Sequence, residues 1–443
     1  MNEKIIVLPS YDFTLSQTLI PALVENSEKE IYVYEDIAPE IWNNKKIKKL
    51  TQEEFKKVIQ EPNIKFLFTL EERSRDIIEQ NVDVPALRTL KKFKDKILFR
   101  KLVKKIPNYD DIWFDSVTKE ELKNIKYPGK PFVIQVAVGF GSKGVEIVKN
   151  ESEMKNAINS AIESAEQGEE IFSKAVVDSS NWVLCDFFDG DEYAVDAFIT
   201  DNGEPVITGI YCHPFKDEND VSDRVYYTSK KIMSDFLPTS EFFLREMIKN
   251  PEMKELKGLM LHLEFRYNPK KDKHIMPIEL NLNRFGGYGL AQLPHYAFGF
   301  NPYDKFFKQE KVDWENILEN TDEKKIFYWV LGISPENDHA LNIDLEKFKN
   351  EFKEGQLQDI ILVNKSIVAA SAYAVTDDYQ DLKDWLEKDF PNTIMKNNKI
   401  SNEDAKSILE EYPIAKHMRL AKQNLVKGIE DYHLEREEMI RNM

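Results

Sequence analysis

The chain has 443 residues, 42% hydrophobic and 31% charged, with a formal net charge of −17. Apolar blocks between the charges mark a globular chain with a large core, in two or three domains of roughly 100–200 residues, and exclude a disordered one. The negative balance opposes nonspecific binding to nucleic acid or an anionic membrane, so neither is expected as a partner, and an anionic ligand would need a local basic pocket.

The first 90 residues read as alternating strands and helices. Lys4–Pro9, Ile31–Tyr34 and Lys65–Leu70 are short apolar runs, and Thr51–Gln60 and Ser74–Gln80 are helix-like. That alternation predicts an open parallel α/β sheet. Ile5–Pro9 is too short for a signal-peptide core, and no run nears the roughly 18 apolar residues of a membrane span. Leu90–Val103, rich in Lys, Leu and Phe at helical spacing, reads as a linker helix. A second unit follows to about Asp201, with strands at Phe132–Val136, Gly144–Val148, Trp182–Phe188 and Tyr193–Thr200 and a helix at Glu151–Gln167. A third unit has strands at Pro205–Cys212, Met260–Tyr267 and Ile275–Asn281 and a helix around Phe242–Lys249. The expected division is 1–90, 91–201, 202–312 and 313–443. In the last region Gln358–Asn364 and Ser366–Thr376 read as a strand pair, Asp381–Lys388 as a helix, and Glu403–Met443 as helical with a break near Pro413. The cysteines, Cys185 and Cys212, form neither a disulfide framework nor a zinc spacing, which fits a reducing cytoplasm.

Four segments carry chemistry. In Gln135–Val148 an apolar strand enters Gly139, Phe140, Gly141, Ser142, Lys143 and Gly144, and another leaves. Glycines let backbone N–H groups approach phosphate oxygens, and Ser142 and Lys143 add a hydroxyl and a charge. The spacing fits neither a Walker A loop nor a dinucleotide fingerprint; a plain hairpin is the other reading. In Met260–Gly287, a period of two puts His262, Glu264 and Arg266 on one face and Leu261, Leu263 and Phe265 on the other. Glu279 and Asn281 share a face of the next strand. A turn near Lys271 would set Glu264 opposite Glu279. Two carboxylates that close repel unless a cation joins them, and oxygen ligands suit Mg²⁺; an exposed charged face is the alternative. Trp182–Asp196 crosses a turn at Asp189 and Gly190 to reach Glu192. Lys94–Arg100 (KDKILFR) is a basic stretch or a solvated helix face.

In order and spacing, these four segments resemble the ATP-grasp superfamily over roughly Lys4–Asp304. The resemblance implies an α/β class: an N-terminal open α/β domain, two α+β subdomains gripping ATP, and here an additional C-terminal α+β region. It implies ATP and Mg²⁺, or Mn²⁺ in its place, as cofactors. Lys96 corresponds to the first phosphate-contacting lysine and Gly139–Gly144 to the phosphate flap. Asp186, Phe187 and Phe188 correspond to the adenine hinge and Glu192 to the ribose acceptor. Glu264, Glu279 and Asn281 correspond to the metal ligands, and Arg284 to the arginine that steadies the reacting carboxylate. Two positions depart from the pattern. Gln135 stands where a second lysine is usual, with Lys143 as a substitute from the loop. The arginine lies one residue late, so either a bulge restores its geometry or Asn283 shares its role.

The implied reaction joins a small carboxylic acid to an amine through an acyl phosphate, with ADP and phosphate released. Phosphoryl transfer needs charge neutralisation and alignment rather than a protein nucleophile. Of the histidines only His262 lies in a motif strand, and it reads as structural. His213, Lys216, Arg224, Tyr226 and Tyr227 form a polar, aromatic stretch, with Arg224 a candidate partner for a second substrate carboxylate. The region after Asp313 could complete the substrate pocket or an interface between copies of the chain. The rival readings are a regulatory protein that binds ATP without turnover and an enzyme with a nonamine acceptor.

Overall fold

The computed structural model describes residues 3–8, 18–25, 28–34, 44–69, 93–139, 143–169, 174, 177–217, 220, 222–251, 256–270, 274–333, 344–364 and 369–393. The stretches read as helices at Ser74–Gln80 and Glu403–Met443 lie outside these residues.

Three sheets organise the described chain. The first is parallel, in the order β3-β2-β1-β4, from β1 (Lys4–Leu8), β2 (Glu30–Tyr34), β3 (Ile47–Leu50) and β4 (Ile64–Thr69). All five residues of β1 are buried, as a central parallel strand covered on both faces requires. Lys4 is tolerated there because Glu61 pairs with it. Thr51 opens the helix Gln52–Val58 with a reciprocal capping box to Glu54.

The second sheet is antiparallel, in the order β5-β8-β6-β7, from β5 (Phe114–Thr118), β6 (Phe132–Val138), β7 (Glu146–Val148) and β8 (Asp178–Asp186). Phe132, Ile134 and Val136 of β6 pack on Ala157, Ile158, Ala161 and Ala165 of the helix Glu151–Glu169. Ala137, with Val133 beside it, shares a cluster on the other face with Val183, Cys185 and Ile97. Ile97 belongs to the helix Lys96–Val103, which Asp95 caps by accepting from the N–H groups of Ile97 and Leu98 at 2.8 and 3.2 Å.

The third sheet is antiparallel with eight strands in the order β13-β12-β9-β10-β11-β14-β16-β15. They are β9 (Asp191–Ile199), β10 (Pro205–His213), β11 (Val225–Ser229), β12 (Met260–Tyr267), β13 (Met276–Leu282), β14 (Ile326–Ile333), β15 (Leu357–Asn364) and β16 (Ala369–Thr376). Its apolar face, with Leu261, Leu263 and Phe265, packs on Phe236, Phe243 and Met247 of the helix Lys230–Lys249.

Two features differ from the sequence reading. The strand β9, read with the second unit, pairs with β10 and β12 in the eight-stranded sheet. The chain therefore changes sheets at residues 187–190, where Gly190 is required: a Cβ there would lie 2.5 Å from the Tyr267 carbonyl oxygen. And β14, β15 and β16 continue this same sheet. The sequence reading does not include β3, β5, β11 or β14; the first three have only four or five residues each, too few to show a period.

Candidate active site

Strand pairing lines up side chains in rows across the polar face of the eight-stranded sheet. One row sets Glu264 opposite Glu279. The next sets His262 between Asn281 of β13 and Asp196 of β9. A third runs from Arg266 to Glu192 to His213. It continues as His213 stacks on Tyr226 with ring centroids 4.1 Å apart, Tyr226 lies opposite Trp329, and Trp329 opposite Tyr373.

The two facing glutamates are in unlike states. Burial, and next the charge of Glu279, push the Glu264 carboxyl up to about 7. Glu279 is held by cations: Lys96 Nζ lies 3.2 Å from its Oε2 and Lys94 Nζ 3.9 Å from its Oε1. Both lysines are buried, and the Asp95 cap between them fixes the backbone from which they reach. With the Asn281 amide, Glu264 and Glu279 form an oxygen-donor set. Among the described residues no group of three or more His, Cys, Asp or Glu side chains forms a metal cage. A divalent cation here would thus be completed by ligand oxygens and water, which is how Mg²⁺ is usually held; the donor chemistry fits it.

Asp196, fully buried, is the hub beneath this pair. It accepts from His262 Nδ1 at 2.7 Å, the Gly286 N–H at 2.8 Å and the Tyr211 hydroxyl at 3.1 Å. The first bond turns His262 Nε2 toward Glu264 Oε1, 3.6 Å away. The second ties down the loop that carries Asn283 and Arg284. Asn283 has a left-handed backbone, φ 68°. Its N–H bonds the Met260 carbonyl at 2.8 Å, and its own carbonyl accepts from Thr69 of β4 at 3.3 Å. A single left-handed residue, rather than a strand bulge, thus re-aims the chain before Arg284. Arg284 is half-buried and donates to the Phe285 carbonyl at 3.1 Å.

On the second sheet, Gln135 is buried and its Nε2 lies 3.5 Å from Cys185 Sγ. Phe140, Gly141 and Ser142 fall outside the described residues. Gly139 and Gly144 close the ends of the loop, and the Gly144 N–H bonds Ser164 Oγ at 3.3 Å. Lys143 leans on the outer helix: a Cβ at Gly168 would lie 3.4 Å from its Cβ and Cγ. Asp186 accepts from the Trp113 N–H at 2.9 Å, and Phe187 and Phe188 lead into the crossing to β9. The guanidinium of Arg100 lies 5.9 Å from the Phe188 ring and is bonded to the Pro277 carbonyl, so helix Lys96–Val103 is pinned to both the crossing at Phe188 and β13.

Glu192 is not free to meet a ligand alone. Arg266 Nη2 donates to its Oε2 at 3.0 Å and His213 Nδ1 lies 3.3 Å from its Oε1. Burial would raise its pKa, but these two partners hold it below the ordinary value; in return Glu192 raises that of His213 against burial. Tyr226 is buried in the same row and donates to Asp223 at 3.0 Å. Arg224 is engaged by protein partners. Its Nη1 donates to the carbonyls of Leu386 at 2.8 Å and Lys388 at 3.1 Å, and its guanidinium lies 4.6 Å from the Phe390 ring centroid. The guanidinium thus closes the end of the helix Gln380–Glu387 instead of waiting for a carboxylate. Tyr227 faces the other side of the sheet, against Tyr379, and Lys216 pairs with Glu387 at 2.8 Å. The sequence reading assigned no role to Lys94, Arg100, Asp196 or Arg266, although each stood in a quoted segment: Lys94 and Arg100 in KDKILFR, Arg266 on the face of His262 and Glu264, and Asp196 at the end of Trp182–Asp196.

A family model described as an ATP-grasp domain matches residues 128–292, which include the glycine-rich loop, Asp186–Phe188 and the paired glutamates. Among curated proteins none matches the sequence. Among solved structures, an L-amino acid ligase from Bacillus licheniformis is similar at a TM-score of 0.59 and 12% identity, over 90% of this chain and 99% of that one. An N5-carboxyaminoimidazole ribonucleotide synthetase from Thermotoga maritima gives 0.56 and 14%, over 89% and 99%. A phosphoribosylglycinamide synthetase from Anaerococcus prevotii gives 0.52 and 15%, over 89% and 99%. At such identities the likeness is one of fold, over 89–90% of this chain. Residues 128–292 thus form an ATP-grasp domain, and three of the four segments lie within it.

Proposed function

We propose that the protein is an ADP-forming ligase that uses Mg·ATP to activate a small carboxylic acid as an acyl phosphate, which an amine then captures. The observation that carries this reading is the register that sets Glu264 opposite Glu279, with two buried lysines on the second carboxylate. The loop Gly139–Gly144 and Lys96 would bind the phosphates, and the backbone at Asp186–Phe188 the adenine edge. Glu192, held ionised by Arg266 and His213, would accept from a ribose hydroxyl. Glu264, Glu279 and Asn281 would hold Mg²⁺, whose charge, when bound, offsets that of the phosphates. Arg284, aimed by the left-handed Asn283, would orient the acid. A carboxylate lacks a good leaving group; its oxygen attacks the γ-phosphorus, ADP departs, and the acyl phosphate offers phosphate as leaving group to the amine. Closing the loop would keep water from that intermediate. His213 and Tyr226 would border the substrate.

The neutral Gln135 supports a second reading, ATP binding without turnover. An ADP-release screen over amino acids, dipeptides and dicarboxylic acids, with and without amine, separates them. Acid-dependent ADP release supports the ligase, amine-independent release at the full rate favours another acceptor, and binding without release favours the regulatory reading.

A further inference from the structure

The last residue of β10, His213, meets an acceptor at each ring nitrogen. Its Nδ1 lies 3.3 Å from Glu192 Oε1, and its Nε2 lies 3.2 Å from the Ser222 carbonyl oxygen and 3.9 Å from Asp223 Oδ1. An ionised carboxylate and a carbonyl only accept, and a neutral imidazole carries one N–H. Both bonds are therefore made together only by the imidazolium. Packing fixes the ring in this place. It is buried, stacked on Tyr226 at 4.1 Å and packed against Phe215 at 4.2 Å. The Arg266 guanidinium lies 5.9 Å from the Phe215 centroid and bonds the other oxygen of Glu192. Ser222 is fixed as well: its N–H and hydroxyl donate to Asp220 at 3.0 and 2.6 Å, and Asp220 also accepts from the Lys216 N–H at 3.0 Å.

The charged and titratable groups around the ring are Glu192 on β9, Arg266 on β12, Tyr226 on β11, and Lys216, Asp220 and Asp223 in the connection from β10 to β11. Glu264 on β12 acts on Glu192 and Tyr226 by its charge, and Lys216 is paired with Glu387. Burial opposes a charge on His213, but Glu192, Asp223 and the Ser222 carbonyl outweigh it and hold the imidazole above its ordinary value. Without the proton, a lone pair on one nitrogen would face an acceptor, and either Glu192 or Ser222 would draw back. We propose that His213 is a positioning residue for the nucleotide: as an imidazolium it holds Glu192 where a ribose hydroxyl is met, and loss of its proton frees that carboxylate or the connection to β11 and weakens Mg·ATP. This rests on the proposed ribose role of Glu192 and adds the charged form of its partner as a condition. Linkage gives the sign: a complex that needs the proton is tightest below the pKa of His213 and weakens above it.

The test is the Mg·ATP dissociation constant of the parent and of His213→Gln, by calorimetry at saturating Mg²⁺ from pH 6 to pH 9. Gln can donate one bond and carries no charge. Glu264 titrates in the same range, so the profile is read as the ratio of variant to parent, in which its contribution cancels. The ratio is expected to be about 5-fold or more at pH 6, where a charged hydrogen bond is lost, and below about 2-fold at pH 9. ¹⁵N NMR of the nucleotide-free parent checks the charge directly. The histidine signal missing from His213→Gln should show both ring nitrogens protonated at pH 6 and titrate above 6.5. A ratio that does not change with pH, or a His213 ring that titrates at or below 6.5, overturns the proposal and leaves the nucleotide site standing. Should His213→Gln fail to fold, Glu192→Gln decides: it removes the charge that retains the proton, so the fall in affinity with pH must shrink or move to lower pH, and an unchanged fall overturns the proposal. A parent that binds no Mg·ATP at any pH overturns both readings.

Discussion

On one face of the eight-stranded sheet, the half built from β13, β12, β9 and β10 gathers ionisable groups, and the half built from β11, β14, β16 and β15 gathers aromatic rings. The first half holds Glu264, Glu279, Asp196, Glu192, His262, His213 and Arg266 in facing pairs. The second holds Tyr226, Trp329 and Tyr373 in one row. Several polar groups in and around the second half are closed by protein partners, although the Trp329 indole N–H and the Thr228 hydroxyl are buried without one. Tyr373 donates to the Gly289 carbonyl at 2.9 Å, Tyr296 to Asp359 at 2.7 Å, and Arg224 to its two helix carbonyls. In the first half Glu264 instead faces another carboxylate and is pushed toward neutrality by burial and by that charge. The difference teaches how to read buried polarity. A group whose bonds are completed by the fold is there for the fold, whereas facing like charges raise the energy of the empty site and are relieved by a cation. The aromatic half is still coupled to the site, because Tyr373 and Ser371 hold the Tyr288–Gly289 backbone just beyond Arg284.

Substitutions should break along this line. Glu279→Ala, in the ionisable half, is expected to cut ADP formation about 100-fold or more, roughly 2.7 kcal/mol of barrier, with the fold retained by circular dichroism. Turnover within 3-fold of the parent in the presence of Mg²⁺ would remove the distinction between the halves. Glu192→Gln should weaken Mg·ATP by about 1–3 kcal/mol, the scale of a charged hydrogen bond. If the contact is to ribose, 2′-deoxy-ATP should show a smaller gap between parent and variant; equal losses with both nucleotides would assign Glu192 to holding Arg266 and His213 only.

Arg224→Met tests the structural half. It should lower stability by about 1–2 kcal/mol, through lost helix-end bonds, and leave the KM for the acid within 2-fold. A raised KM at parent stability, measured by denaturant midpoint and saturation kinetics, would return Arg224 to the substrate. The smallest effect concerns pH. Glu192 raises the pKa of His213 above 6.5, so the pair stabilises the fold fully below that value and loses this contribution as pH rises through the raised one. The melting temperature of the parent should therefore fall more between pH 6 and pH 9 than that of His213→Gln. Parallel profiles would mean that the pair contributes nothing on ionisation.

Local pattern made much of this legible. The period of two in His262, Glu264 and Arg266, with a turn-rich stretch before Glu279, was enough to expect the glutamates to face each other, since strand pairing across a short connection leaves few registers. The alternation in residues 1–90 likewise announced a parallel sheet, confirmed for the described strands. The partners of Arg224 were not legible because Leu386 and Lys388 lie more than 160 residues away; nothing in its neighbourhood distinguishes a helix-end guanidinium from one awaiting a carboxylate.

By itself, then, the sequence determined the resemblance to an ATP-grasp domain, the order of the site segments and the polar faces of β12 and β13, because backbone periodicity and motif spacing are local properties. Only the tertiary structure decided that β9 leaves the second sheet, that β14, β15 and β16 extend the third, that Asp196 ties His262 to the Arg284 loop, and that Lys94 joins Lys96 at Glu279. Each of these depends on which distant strands share hydrogen bonds and on which buried charges must find a partner, and those choices are settled by packing across the whole chain.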